Sequence, residues 1–209
     1  MSDNRKSGQK TLLWSVIMSS PGPLVVGIGL LMGKSSTQIA DFVRRSAELF
    51  AIIASYVVFK VTNKDGYADE IRKKRLERNT DFFVGAAMCL GGSMMLLLAL
   101  LSTNTDVGNV IPGLSIAILG VIANSIFWRR YHRLGKESGN SILLVQSKLY
   151  RAKTFVDGCV TIALLSVVFF PKTAVSYYLD KVGSVIVALY LIWTGIKTIR
   201  ERKKEADSL

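Results

Sequence analysis

Six apolar segments, each near the length of a membrane-spanning helix, take up most of this chain: roughly residues 11–33, 38–60, 81–102, 107–128, 150–171 and 175–197. A helix rises about 1.5 Å per residue, so about 20 apolar residues cross the hydrocarbon layer of a bilayer. A soluble domain of 209 residues has no use for six such lengths, and its helices would show a polar stripe. The segments predict an all-α polytopic membrane protein with a six-helix transmembrane bundle over 11–200. A cytoplasmic N-terminal segment, 1–10, precedes the bundle and a short cytoplasmic tail, 201–209, follows it. The first apolar stretch is too long for a signal peptide and has no convincing cleavage site.

The net charge of +12 raises the question of nucleic acid, but the basic residues are sorted by topology. Twenty-one lysines and arginines fall on one side of the predicted membrane, including Arg5, Lys10, Arg72, Lys74, Arg130, Lys136, Arg200 and Lys203. Only Lys34, Lys172 and Lys181 fall on the other. The positive-inside rule then puts both termini in the cytoplasm of a plasma (inner) membrane protein. It makes the bilayer and anionic lipid headgroups at the cytoplasmic face the partners, and not nucleic acid. Cys89 and Cys159 lie within apolar segments and read as small buried hydrophobes. The outer links are short, at 33–36, 102–106 and 171–173, whereas the inner ones are long and charged. Residues 61–80 read as a helix extending out of the membrane, and Thr80 and Asp81 as the N-cap of the third span. Pro21-Gly22-Pro23 predicts a kink inside the first span.

Two spans carry charges. The second holds Asp41, Arg44, Arg45 and Glu48, and the fifth holds Lys153 and Asp157. A charge at mid-bilayer costs about 2.5–3.5 kcal/mol on insertion scales, so such groups face a bundle interior or a cavity. At about 100° per residue, the first four share one helix face. Lys153, Asp157, Thr161 and Tyr150 share a face of the other helix. The two faces are expected to look at each other or at a shared cavity, and their charges sum to zero. Asp41 with Arg45 and Lys153 with Asp157 are i,i+4 pairs, and pairing across helices is the alternative. Arg44, Asn124, Tyr150 and Thr161 are candidate cavity-lining residues. Ser125, Ser15, Ser19 and Ser20 are candidates either for that role or for hydrogen bonds between helices.

Here the chain resembles the transmembrane domain of the cation diffusion facilitator (cation efflux) family, the proton-coupled exporters of divalent metals. The resemblance covers about 11–200. It rests on the six spans, the acidic motif opening the second, Asn140 to Ser147 before the fifth, and Tyr178-Leu179-Asp180-Lys181 with Leu191 to Lys197 in the sixth. It implies a homodimer. It also implies four metal ligands, an acidic or His residue and an Asp four apart on each of the second and fifth helices. Here those positions read Asp41-x-x-x-Arg45 and Lys153-x-x-x-Asp157. Arginine is a donor that stays protonated, and lysine ligates only after losing its proton. The inherited metal site is therefore degenerate, with Asp41 and Asp157 its only remaining candidate ligands and no metal or cofactor expected.

Three functions follow in order. The first is a facilitator-like transporter with an altered, charge-paired central site (Asp41, Arg45, Glu48, Lys153, Asp157) whose substrate is not a bare divalent metal. The second is a non-transporting structural or regulatory membrane protein with salt bridges in place of the metal site. The third is a divalent cation exporter. His132 stands in a cytoplasmic Trp-Arg-Arg-Tyr-His-Arg stretch and reads as interfacial, and the sequence offers no Ser/His/Asp set, phosphate loop or paired metal motif, so an enzyme is not expected. For a dimer surface, the expectation falls on the third span with Gly85, Gly91 and Gly92, because small residues let helices approach closely.

Overall fold

The computed structural model describes residues 2–32, 36–63, 69–101, 111–169 and 174–207. The predicted outer links 102–106 and 171–173, with Lys34 and Lys172, lie outside them. So do the side chains of Asp41, Asp180 and Lys181. Among the described residues seven helices run in sequence: α1 (Ser2–Ser19), α2 (Pro21–Met32), α3 (Ser36–Thr62), α4 (Glu70–Leu101), α5 (Ile111–Ser138), α6 (Ser141–Phe169) and α7 (Ala174–Asp207). They form the six-helix membrane bundle, because α1 and α2 are the two halves of one broken span.

The break is the predicted kink made concrete. The Ser20 amide and hydroxyl both donate to Val16 O, at 3.0 and 2.7 Å, and close α1. Pro21 then opens α2, at a position where a missing N–H is harmless and φ is already helical.

Helix ends depart from the apolar boundaries. α4 starts at Glu70, where Asp69 Oδ1 accepts the Arg72 amide at 2.8 Å. Thr80 and Asp81 are thus mid-helix, and the expected cap moves back to Asp69. Hydropathy marks where hydrocarbon begins, whereas Glu, Arg, Lys and Leu propagate a helix equally well in water. For the same reason α5 runs on to Ser138 and α6 starts at Ser141, so the long inner link expected there shrinks to a tight turn. Gly139 makes that turn at φ +62°, a left-handed conformation that suits glycine, and Asn140 Oδ1 caps α6 by accepting the Leu143 amide at 3.3 Å.

The most extensive packing is α4 against α7 and α5 against α6, with α3 on α4 and α6 on α7 next. α1 fits between α3 and α5. The core gathers Leu12, Ile52, Met88, Tyr131, Leu143, Leu149, Tyr150 and Leu191. Outward stand Leu24, Val25, Phe50, Leu119, Ile126 and Trp193, all exposed in the protein alone and suited to acyl chains. Glu70–Leu100 and Val182–Lys203 are long and apolar enough to cross a membrane by composition alone.

The α4–α7 seam corrects the expected dimer surface. A Cβ on Gly92 would lie 2.7 Å from Ile192 Cγ1 and 2.8 Å from Ala188 O, and one on Gly85 would lie 2.8 Å from Ile199 Cγ1. Gly91 turns to Arg44 and Glu48. These glycines are used up inside one bundle, where α7 lies against the α4 backbone. Cys89 joins the same seam, its Sγ 3.7 Å from Ile192 O; it and Cys159 are half-buried free thiols.

Candidate functional site

Glu48 is the centre of the charged cluster. It lies on α3 one turn beyond Arg44, whose Nη1 is 3.3 Å from Glu48 Oε1. Its other oxygen, Oε2, is 3.3 Å from Lys153 Nζ on α6. The carboxylate is thus held by one cation from its own helix and one from across the bundle. All three side chains are nearly out of solvent, at 12, 6 and 17% exposure for Arg44, Glu48 and Lys153. Gly91 of α4 leaves the room: a Cβ there would stand 3.4 Å from Arg44 Cγ and 3.6 Å from Glu48 Oε1.

Asp157 does not join its i−4 neighbour. Its Oδ2 accepts the Asn124 amide of α5 at 2.6 Å, and Lys153 reaches away to α3. Of the alternatives open in the sequence, the cross-helix pairing is the one Lys153 makes. A carboxylate more than four turns into α6 accepts from the neutral amide, and the flexible lysine stem serves the carboxylate that Arg44 alone leaves half-bound. Gly120, one turn before Asn124, makes space for this bond: a Cβ there would come 2.5 Å from Asp157 Oδ2. Sequence reading missed Gly120, although its i,i+4 spacing from Asn124 was the available signal.

Lys153 also lies 5.1 Å from the centre of the Tyr150 ring, within cation–π range. The Tyr150 hydroxyl meets Ser19 Oγ at 3.2 Å, next to the break in the first span. One turn towards the chain's N-terminus, Ser15 Oγ and the buried Tyr131 hydroxyl are 2.6 Å apart. Ser20 instead bonds its own helix backbone. Thr161, placed on the charged face, turns its hydroxyl back to Asp157 O at 2.7 Å. Arg45 lies beside Gly22, whose Cβ would be 3.4 Å from Arg45 Nη1. The expected Asp41–Arg45 pair falls outside the described residues, since the Asp41 side chain does. Among the described residues, no three His, Cys, Asp or Glu side chains come together as a metal site requires.

A second ion pair escaped the sequence. Arg202 Nε of α7 lies 3.0 Å from Asp81 Oδ2 of α4, with the carboxylate 1% exposed. Arg202 reads as part of a charged tail and Asp81 as a cap. Only the antiparallel run of α4 along α7 brings them together. Gln146 Nε2 donates to Ser55 Oγ at 2.7 Å, joining α6 to α3 below the charged cluster.

The cluster can do two things chemically. It can hold α3 to α6 through an ion pair and α5 to α6 through a hydrogen bond, and it can exchange a Glu48 pairing for a charged solute that competes for the same partner. Among the described residues, both Glu48 oxygens and Asp157 Oδ2 are already engaged. The family model of the cation efflux transmembrane domain matches residues 12–205. No curated protein matches the chain.

Proposed function

The chain belongs to the cation efflux family, and on that footing we propose that it is a membrane transporter whose central site is closed by its own ion pairs. Its substrate is then a solute other than a bare divalent metal: an organic anion, a zwitterion or a monovalent ion. Members of this family are transporters, not enzymes, and integral to the membrane. The observation that carries the altered site is Glu48, with Arg44 and Lys153 each 3.3 Å from one of its oxygens. A divalent ion needs several free oxygen or nitrogen donors and suffers from a fixed cation alongside. Asp41, Arg45, Glu48, Lys153 and Asp157 form the site in this reading, and the basic excess sets both termini in the cytoplasm of the plasma (inner) membrane. A homodimer, frequent in the family, is its assembly.

The same ion pairs favour a second reading, a structural or regulatory membrane protein in which they replace the transport site. Currents from proteoliposomes on a solid-supported membrane separate the two. A current evoked by a charged organic solute and lost in Lys153→Met supports transport, and silence across anions, zwitterions and monovalent ions supports the structural role. Export of Zn²⁺ or Mn²⁺ into the vesicles by the unaltered protein overturns both and restores divalent export.

A further inference from the structure

The outer seam of α6 and α7 carries cations and aromatic rings that the central site does not use. Lys148, Arg151 and Phe155 fall at i, i+3 and i+7 on α6, and Tyr190, Trp193 and Lys197 repeat the spacing on α7, so each trio shares a helix face. The faces interlock. Phe155 meets Tyr190 edge-on at 5.4 Å between centroids, and Tyr190 meets Trp193 at 6.4 Å. The Arg151 guanidinium lies 5.9 Å from the Tyr190 ring centre and Lys197 Nζ 5.4 Å from that of Trp193. Because the helices are antiparallel, two cross-links, Lys148–Glu201 at 2.7 Å and Phe155–Tyr190, bracket Arg151 and Lys197 on one short stretch of the seam.

Charge on this stretch is not balanced. Glu201 is engaged by Lys148, whereas Arg151 and Lys197 have rings and no carboxylate against them among the described residues. Arg151 Nε is also buried without a hydrogen-bond acceptor. Phe155 and Trp193 are 51 and 58% exposed beside the equally exposed Ile186 and Leu189, so the face is apolar towards mid-helix and cationic towards the α6 N-terminus. Aromatic residues of this kind sit at the headgroup level, and a guanidinium with no carboxylate partner among the described residues matches phosphate.

We propose that this seam is a binding site for one anionic phospholipid. Arg151 and Lys197 share its phosphate, and its acyl chains lie along Trp193 and Phe155. The site requires only that the bundle spans a membrane and is independent of what the central site carries.

Native mass spectrometry of the full chain in detergent, with phosphatidylglycerol or phosphatidylcholine added, tests it. The parent should retain phosphatidylglycerol in preference, and Arg151→Ala and Lys197→Gln should each weaken retention about fivefold. Arg72→Gln with Arg75→Gln, on the exposed start of α4, should leave it unchanged. Equal loss in that control would mean diffuse attraction, and displacement by inorganic phosphate would mean a free-anion site; either overturns the proposal. A dimer that Trp193→Ala dissociates, with lipid retention intact, would assign the face to a second copy and overturn it too. A measurement that leaves both cations in place uses tryptophan fluorescence in bilayers. Brominated phosphatidylglycerol should quench more than brominated phosphatidylcholine, with the difference lost in Trp193→Phe. Equal quenching by the two lipids counts against the site.

Discussion

Glu48 of α3 holds Lys153 of α6 at 3.3 Å across two helices whose backbones scarcely touch. The lysine stem spans that gap, so a charge pair does what side-chain packing does elsewhere in the bundle. Arg44 on the second carboxylate oxygen leaves the trio with one excess positive charge, and Asp157, one turn along α6 from Lys153, lies close enough to offset it.

That geometry sets the expected energetics. Removing one member of a buried pair leaves its partner uncompensated at about 3–5 kcal/mol, whereas replacing both is often close to neutral. Glu48→Gln and Lys153→Met should each lower the unfolding midpoint in detergent sharply, and the double variant should lie well above the sum of the two losses. Additive losses would show that the two groups do not depend on each other.

Metal affinity should follow the charge of the site. The unaltered protein should bind no Zn²⁺ in the micromolar range by calorimetry. Replacing Arg45 and Lys153 together by aspartate removes both cations and supplies carboxylates four residues from Asp41 and Asp157, the spacing a tetrahedral site uses. Micromolar binding should then emerge and vanish again with Asp157→Asn. Tight, Asp157-dependent binding by the parent would contradict the charge-paired reading.

Gly120 should prove as sensitive as the charges. Because a Cβ there meets Asp157 Oδ2 at 2.5 Å, Gly120→Ala must push the carboxylate away from Asn124 or spread α5 from α6. Overpacking of this kind costs about 1–3 kcal/mol. Gly120→Ala combined with Asp157→Ala should recover part of that loss, because the obstructing carboxylate is gone. A Gly120→Ala protein as stable as the parent would mean the Asn124–Asp157 bond is dispensable.

The charged N-terminal end of α4, before the apolar stretch that starts at residue 81, offers a pH test. Burial pushes the Glu77 carboxyl above its ordinary value of 4.5, against the pull of Lys73 and Arg202. A carboxyl with a raised folded pKa binds its proton more tightly when folded. Its effect is therefore neutral or favourable at low pH and turns unfavourable as pH rises from 4.5 through the folded value. Glu77→Gln should raise the melting midpoint at neutral pH by on the order of 1–2 °C, with the gain disappearing below about pH 4. The variant also keeps an acceptor for the Asn140 amide, 3.4 Å away. A gain that persists at low pH would have another cause.

The count of spans, the broken first span and the faces that carry Glu48, Lys153 and Asp157 were legible in the sequence, because apolar length and a turn of about 100° per residue fix them. Partner choice was not. Whether Lys153 turns to Asp157 on its own helix or to Glu48 on another depends on how α3 and α6 lie against each other, and local spacing does not record that. Asp81 and Arg202 illustrate the same gap over the longest distance, since each looks ordinary in its own neighbourhood. Helix ends failed differently: Asp69 and Gly139 stop and start helices in water, beyond the apolar window that hydropathy can see.

The glycines of α4 show how one sequence feature supports two opposite assemblies. Small residues along a span permit close approach to any helix, of the same bundle or of a second copy. Here Gly92 faces Ala188 O and Ile192, and Gly85 faces Gly195 O and Ile199, so α7 of the same chain occupies the groove. Gly92→Leu should therefore separate α4 from α7, and with them the Asp81–Arg202 pair on the same seam. The expected result is a loss of stability of at least about 1–3 kcal/mol. It should be the same at all protein concentrations, because no second chain is involved. Asp81→Asn, which weakens the same seam without added bulk, should be destabilising in the same direction. If Gly92→Leu instead left the melting midpoint intact and shifted the detergent-corrected mass from dimer to monomer, the groove would belong to a subunit interface.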